Sequence, residues 1–271
     1  MGELNMRLLV LSDIVKWEGL EDLVDECKPH VIVLAGDLTS DGFAYSYWFD
    51  KFENTEIFKR MPIKPKIEER IEKGVLVVSR ESYLENEEFR AFRKKIHVDR
   101  FYQFLEGVGK MAKVLVLMGE HDNDFDGDYL PDRINKISGC MEISGRTAVI
   151  QGLCFLGLSY KELQSLGTLK RIISMYRGKV DIVVMHGERI RLVSLLKPTL
   201  IIRGGYAPGK YLINNVPSVW NSCGTYTTID INPENKRILE ISQYSIDGRT
   251  SLSWTLPKKQ FKIYRWLKPW I

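Results

Sequence analysis

The 271-residue sequence predicts a layered α/β fold, and three observations carry that prediction. Short apolar runs recur along the chain, in "RLLVLSD", "HVIVLAGD", "VLVLMGEHD", "VDIVVMHGE" and "LIIRGGY". Longer segments with apolar residues at helical spacing lie between them. Each run stops at a polar or glycine-rich cluster, and in α/β sheets the strand ends are where loops gather and ligands bind. Strands this apolar require cover on both faces, as in a sheet sandwiched between helices.

The first strand ends at Asp13 and is followed by a short helix around 18–27, closed by Pro29. The second ends at Asp37. Residues 41–112 then form an excursion whose segments "FAYSYWFDKF" and "ENEEFRAFRKKIHVDRFYQFLEGVGKMAKV" read as amphipathic helices. In the second segment Phe89, Phe92, Ile96, Phe104, Leu105 and Val108 recur at helical spacing. The excursion therefore reads as a helical insertion or cap within a single domain spanning 1–271. Its basic run, Arg90, Arg93, Lys94 and Lys95, reads as a solvated helix face, and His97 as a surface residue. Residues 141–158 and 211–246 are β-rich, with "NPENK" (232–236) a turn between two strands. They are the expected source of a second sheet. The tail "PKKQFKIYRWLKPWI" (257–271) alternates basic and aromatic side chains. It reads as an arm that docks on the core or on a second subunit, with single-stranded nucleic acid as a minor option.

Composition narrows the classes. Apolar residues make up 44% and charged residues 27% of the chain, and the net charge is +4, too mild to call for nucleic acid on its own. No apolar run approaches the ~18 residues of a membrane span. Cys27, Cys140, Cys154 and Cys223 show no CxxC spacing, and two of them sit in apolar runs, as expected of thiols in a reducing compartment. The N-terminus lacks a signal peptide's basic start and small-residue cleavage site. Together these predict a cytoplasmic protein without membrane partners.

The richest stretch is "VLVLMGEHDNDFDGD" (114–128), with Glu120, His121, Asp122, Asp124, Asp126 and Asp128 crowded after one strand. Such charges repel unless a cation or water separates them. Asp122, Asp124, Asp126 and Gly127 match the opening of an EF-hand loop, but Arg133 stands where the bidentate glutamate belongs, and a strand precedes where a helix should. The stretch divides instead. Glu120 and His121 belong to a strand-end site, and Asp124, Asp126 and Asp128 form a solvated rim. Asp122 or Asp124 is available as a replacement ligand.

Taken in order, "DIV" (13–15), "GDLTS" (36–40), "GEHD" (119–122), "MHGE" (185–188) and "RGGYAPG" (203–209) resemble the calcineurin-like metallophosphoesterases. The pattern of that family is D-x-H, G-D, G-N-H-[DE], H and G-H-x-H. The resemblance implies a four-layer α/β/β/α sandwich, phosphate-ester substrates and one or two divalent transition metals, Mn, Fe, Zn or Ni. It assigns Asp13, Asp37, Glu120 and His186 as metal ligands, with Asp37 shared, and His121 as the catalytic group beside the phosphate. Carboxylate and imidazole ligands suit such metals, which neutralise phosphoryl charge and acidify bound water.

The chain departs from that pattern at four places. Val15 replaces the first histidine, Glu120 the asparagine, and Gly205 and Ala207 the two last histidines. One family position keeps Asp13 and Asp37. The other keeps Asp37 and His186, with Glu120 as a substitute. The sequence thus supports one reasonable site and a divergent phosphoesterase of mono- or diesters. The alternative is an inactive member of the same fold that serves as a binding or scaffold module.

Overall fold

In the structure, a computed structural model, residues 5–14, 17–39, 51–62, 64, 68–72, 75–79, 86–122, 130–205, 208–246 and 251–255 are described. Two sheets stack face to face. The first has the order β15 (Ser251–Thr255), β14 (Arg237–Ser245), β13 (Thr225–Asn232), β1 (Met6–Leu11), β2 (Val31–Ala35), β5 (Lys113–Leu117), β6 (Cys140–Glu142), and the second β11 (Gly209–Ile213), β12 (Val216–Trp220), β10 (Leu200–Gly204), β9 (Ile182–His186), β8 (Leu153–Leu158), β7 (Thr147–Ile150). At the centre of the first, β1 (Met6–Leu11), β2 (Val31–Ala35) and β5 (Lys113–Leu117) run parallel. At the centre of the second, β8 (Leu153–Leu158), β9 (Ile182–His186) and β10 (Leu200–Gly204) also run parallel.

The period of two along a strand sends successive side chains to opposite faces, and here both faces are buried. Leu8, Val10, Val33, Ala35 and Leu115 meet Phe155, Val184, Ile202 and Val219 in the core between the sheets. The intervening Leu9, Leu11, Ile32, Leu34 and Val116 face outward onto helices. Those helices are α1 (Leu20–Cys27) and α4 (Asp99–Val108), which contribute Val24, Phe101, Phe104, Leu105 and Val108. On the far side, α5 (Tyr160–Gln164), α6 (Leu166–Tyr176) and α7 (Ile190–Val193) cover the second sheet with Leu163, Leu169 and Val193. This is the four-layer α/β/β/α sandwich the family resemblance implied.

Several expectations are refined. Residues 211–246 do not form a second sheet alone. In this region β11 (Gly209–Ile213) and β12 (Val216–Trp220) join the second sheet. The next two strands, β13 (Thr225–Asn232) and β14 (Arg237–Ser245), turn at 233–236 and return to the first. β6 (Cys140–Glu142) closes the first sheet on one edge and β15 (Ser251–Thr255) on the other, while β7 (Thr147–Ile150) closes one edge of the second. The excursion also differs from a purely helical cap. It includes α2 (Glu56–Arg60) and a two-stranded hairpin, β3 (Glu68–Glu72) with β4 (Val75–Ser79). Its last helix, α4, is one of the layers of the sandwich.

The long amphipathic segment is continuous from α3 (Glu87–Arg93) through a π-helical turn (Lys94–Val98) into α4. Its charged face is not wholly solvated. Arg93 is 1% exposed and His97 fully buried, so neither lies at the surface where the sequence predicts it. A basic sequence run cannot show that one of its members turns inward to meet backbone carbonyls. The helix expected over "FAYSYWFDKF" and the tail 257–271 lie outside the described residues, apart from the end of the former. Among the described residues no helix is long and apolar enough to cross a membrane; of the cysteines, Cys140 is buried and Cys223 exposed.

Candidate metal centre

The parallel strands of both sheets end on the same side of the sandwich, and the strand-end groups converge there. β1 and β2 end in matched turns. Asp13 and Asp37 each adopt φ 53, a left-handed conformation that aspartate tolerates better than most residues and that is enriched at functional sites. The turns extend the parallel ladder beyond the strands, with Asp13 N donating to Gly36 O at 3.0 Å and Ile14 N to Asp37 O at 3.0 Å. Among the described residues neither aspartate caps a helix. Both carboxylates point into the site, where each residue is 3% exposed.

His186 arrives from the other sheet, as the last residue of β9. Its Nδ1 lies 2.7 Å from Ala35 O. A carbonyl only accepts, so Nδ1 carries the proton and Nε2 is left facing the carboxylates. Nε2 sits 3.2 Å from Asp37 Oδ2. The sheets approach so closely that a Cβ on Gly36 would fall 2.3 Å from His186 Nδ1. Only glycine leaves room for the ring.

Burial opposes the charge on the His186 ring, but the hydrogen bond and charge of Asp37, together with the charge of Asp13, outweigh it and lift its pKa to about 9. Asp13 is pushed up to about 7, chiefly by burial, while the His186 charge pulls it back. Asp13 Oδ2 also accepts from Gly205 N at 2.8 Å.

Ligand atoms of Asp13, Asp37 and His186 lie within 4.8 Å of one another, and so do those of Asp37, Glu120 and His121. Asp37 belongs to both sets. The grouping differs from the sequence-based one, because His186 falls with Asp13 and Glu120 falls with His121. Glu120 and His121 form the outer set, with Glu120 Oε1 3.3 Å from His121 Nε2 and side chains 41% and 35% exposed. The backbone N of His121 donates to Asp37 Oδ1 at 3.1 Å.

Two buried carboxylates and one buried imidazole make a donor set suited to borderline transition metals. Ligands about 2.1 Å from one ion, at right angles, lie about 3.0 Å apart, and the Asp37–His186 separation of 3.2 Å fits that spacing. The inner set therefore fits a divalent cation.

Asp122 has another role than the rim or replacement ligand expected for it. It is fully buried. Its Oδ2 accepts from Asp37 N at 3.1 Å and Gly119 N at 2.6 Å, and its Oδ1 from Leu38 N at 2.6 Å and Thr39 N at 2.8 Å. The carboxylate ties the loop after β2 to the loop after β5. Its position at the end of "GEHD", the acidic place in the family pattern, was the available signal. Arg203, also buried, donates from Nε to Gly187 O at 2.8 Å and lies over the Trp220 ring, holding the residue after His186. Nothing local in the sequence marks that contact.

Gly205 stands where the family has a histidine. It adopts φ +88, and a Cβ there would lie 2.8 Å from His186 Nε2. The backbone at this place has a form in which a ligand side chain would collide with His186. Val15, Ala207, Asp124, Asp126 and Asp128 lie outside the described residues.

The calcineurin-like phosphoesterase family model matches residues 6–269. The chain belongs to that family. One solved crystal structure shares 14% identity at TM-score 0.55, covering 89% of this chain and 100% of its own. The crystal structure of TT1561 from Thermus thermophilus shares 10% identity at TM-score 0.47 over 90% of this chain and 100% of its own. The calcineurin-like phosphoesterase YfkN from Bacillus subtilis shares 11% identity at TM-score 0.42, over 84% of each chain. These likenesses concern fold. No curated protein matches the sequence.

Proposed function

We propose that the chain is a phosphoesterase of reduced metal content, hydrolysing phosphate mono- or diesters with a divalent metal held by Asp13, Asp37 and His186. The observation that carries this reading is the convergence of three buried ligand atoms within 4.8 Å, from strands of two sheets. A bound divalent metal supplies charge neutralisation at phosphorus and a more acidic water. Asp37 and Asp13 provide the anionic charge that retains such a cation. The Ala35 carbonyl keeps the His186 ring oriented with Nε2 inward. His121, on the open side of Asp37, is placed to hold or donate a proton at a phosphoryl or leaving-group oxygen, and Glu120 beside it orients the ring. Glu120 completes an outer set with Asp37 that is too exposed to bind a second ion tightly.

The test combines metal and turnover. Protein purified without chelator is assayed for bound transition metal, then with aryl phosphate mono- and diesters in added manganese. Asp37→Asn and His186→Ala are expected to lose metal, with a fall in kcat/KM of at least a hundredfold. Turnover that is unchanged in both variants refutes the site. A second reading, a binding or scaffold module without turnover, is favoured by Gly205, whose conformation closes one ligand position. Metal uptake with no hydrolysis of either ester class would select it.

A further inference from the structure

The loop that presents Asp37 has its backbone engaged from two directions. Its Asp37, Leu38 and Thr39 amides all donate to Asp122, and the Gly36 and Asp37 carbonyls accept from Asp13 and Ile14. The Leu38 and Thr39 carbonyls remain, and they face the insertion. Arg93 Nη1 donates to Thr39 O, and the Leu38 backbone lies beside the buried His97 ring. Both side chains come from the place where α3 passes into the π-helical turn, Lys94–Val98. π-turns are rare, they re-aim side chains, and they concentrate at functional sites.

Holding a guanidinium at 1% exposure is unfavourable unless it has partners. Docking alone would be served by an apolar side chain. The partner arrangement here is specific. Thr39 donates from its N and Oγ1 to the buried Asp122 carboxylate, and its carbonyl accepts from the buried Arg93. A buried anion and a buried cation thus lie at the two ends of one residue, each strengthening the other's hydrogen bonds in a low dielectric.

We infer that Arg93, flanked by His97, is a positioning residue that clamps the Asp37 loop from the insertion side. The affinity of the metal centre then depends on how the insertion is seated. This rests on the metal reading above only for its functional consequence, because the clamp itself exists without metal.

The experiment uses the full chain. Amide hydrogen exchange is followed without metal in wild type, Arg93→Met and Arg93→Lys, and manganese affinity is then measured by calorimetry. Methionine keeps the apolar stem and removes the donor, whereas lysine keeps a donor. In Arg93→Met, exchange at 37–39 is expected to rise at least tenfold with 200–204 unchanged, and manganese affinity to fall about tenfold. Arg93→Lys is expected to recover part of both. Unchanged exchange at 37–39, or a rise spread evenly over β1, β2 and β10, overturns the inference, since Arg93 would then be inert or merely hold the insertion down. If Arg93→Met does not fold, Arg93→Lys against wild type reads the same segment at smaller amplitude. A loop that loosens in a protein whose wild type takes up no manganese upholds the clamp and defeats the metal reading; unchanged exchange with tight manganese binding does the reverse.

Discussion

Replacing Asp122 by asparagine removes one oxygen and keeps the shape, so it isolates the hydrogen-bonding role of a buried carboxylate. The carboxylate has five donors around it, the amides of Asp37, Leu38, Thr39 and Gly119 and the Thr39 hydroxyl. In asparagine one oxygen becomes an NH₂ group. If Oδ2 is replaced, the Asp37 and Gly119 amides face a donor, and if Oδ1 is replaced, the Leu38 and Thr39 amides do. Either way two buried amides are orphaned, at about 1–3 kcal/mol each. Against that, the native carboxylate carries its own burden, because burial first and the Asp37 charge second hold its pKa above the usual carboxylate range. The net expectation is a loss of about 2–4 kcal/mol, which in a domain of this size lowers Tm by roughly 4–15 °C. The assay is thermal unfolding followed by circular dichroism, with urea unfolding as a second route. A Tm within one degree of wild type would refute the reasoning, since it would mean that the loop amides find other partners at no cost.

The buried His97 predicts a pH dependence. Burial, with the Arg93 charge beside it, lowers its pKa to about 3. The unfolded chain binds a proton near pH 6.5 that the folded chain refuses, so stability is full above about 6.5 and is lost as pH falls toward 3. Between pH 7 and pH 4 wild type is expected to lose on the order of 3 kcal/mol more than His97→Gln in urea unfolding, and parallel pH profiles would refute this. Restoring the family histidine with Gly205→His is expected to lower Tm rather than add a second ion, because positive φ and contact with His186 Nε2 strain any side chain there. Metal analysis showing two ions per chain in that variant would refute it.

Much of this molecule is legible in one dimension. Apolar runs such as "VIVLA" specify strands buried on both faces, because a side chain's alternation between faces is a local property of extended chain. The polar residue that ends each run is equally local, so Asp13, Asp37, His121 and His186 were identifiable as strand-end groups, and the family pattern supplied their order. The turn at 233–236 was readable for the same reason.

What the sequence by itself determined was therefore which residues stand at strand ends and that those strands are covered by helices. Tertiary structure alone decided that β9 lies in the opposite sheet from β1 and β2, which places His186 beside Asp13 and sends Glu120 to the outer set with His121. It also decided that Arg93 and His97 turn inward and that Asp122 binds amides rather than a cation. In each case the deciding partner lies far away along the chain, 83 to 85 residues for the amides Asp122 draws from the Asp37 loop and 54 for Arg93 and Thr39. Whether a charge faces water, an ion or a peptide dipole depends on what the fold brings against it, and spacing along a chain carries no record of that.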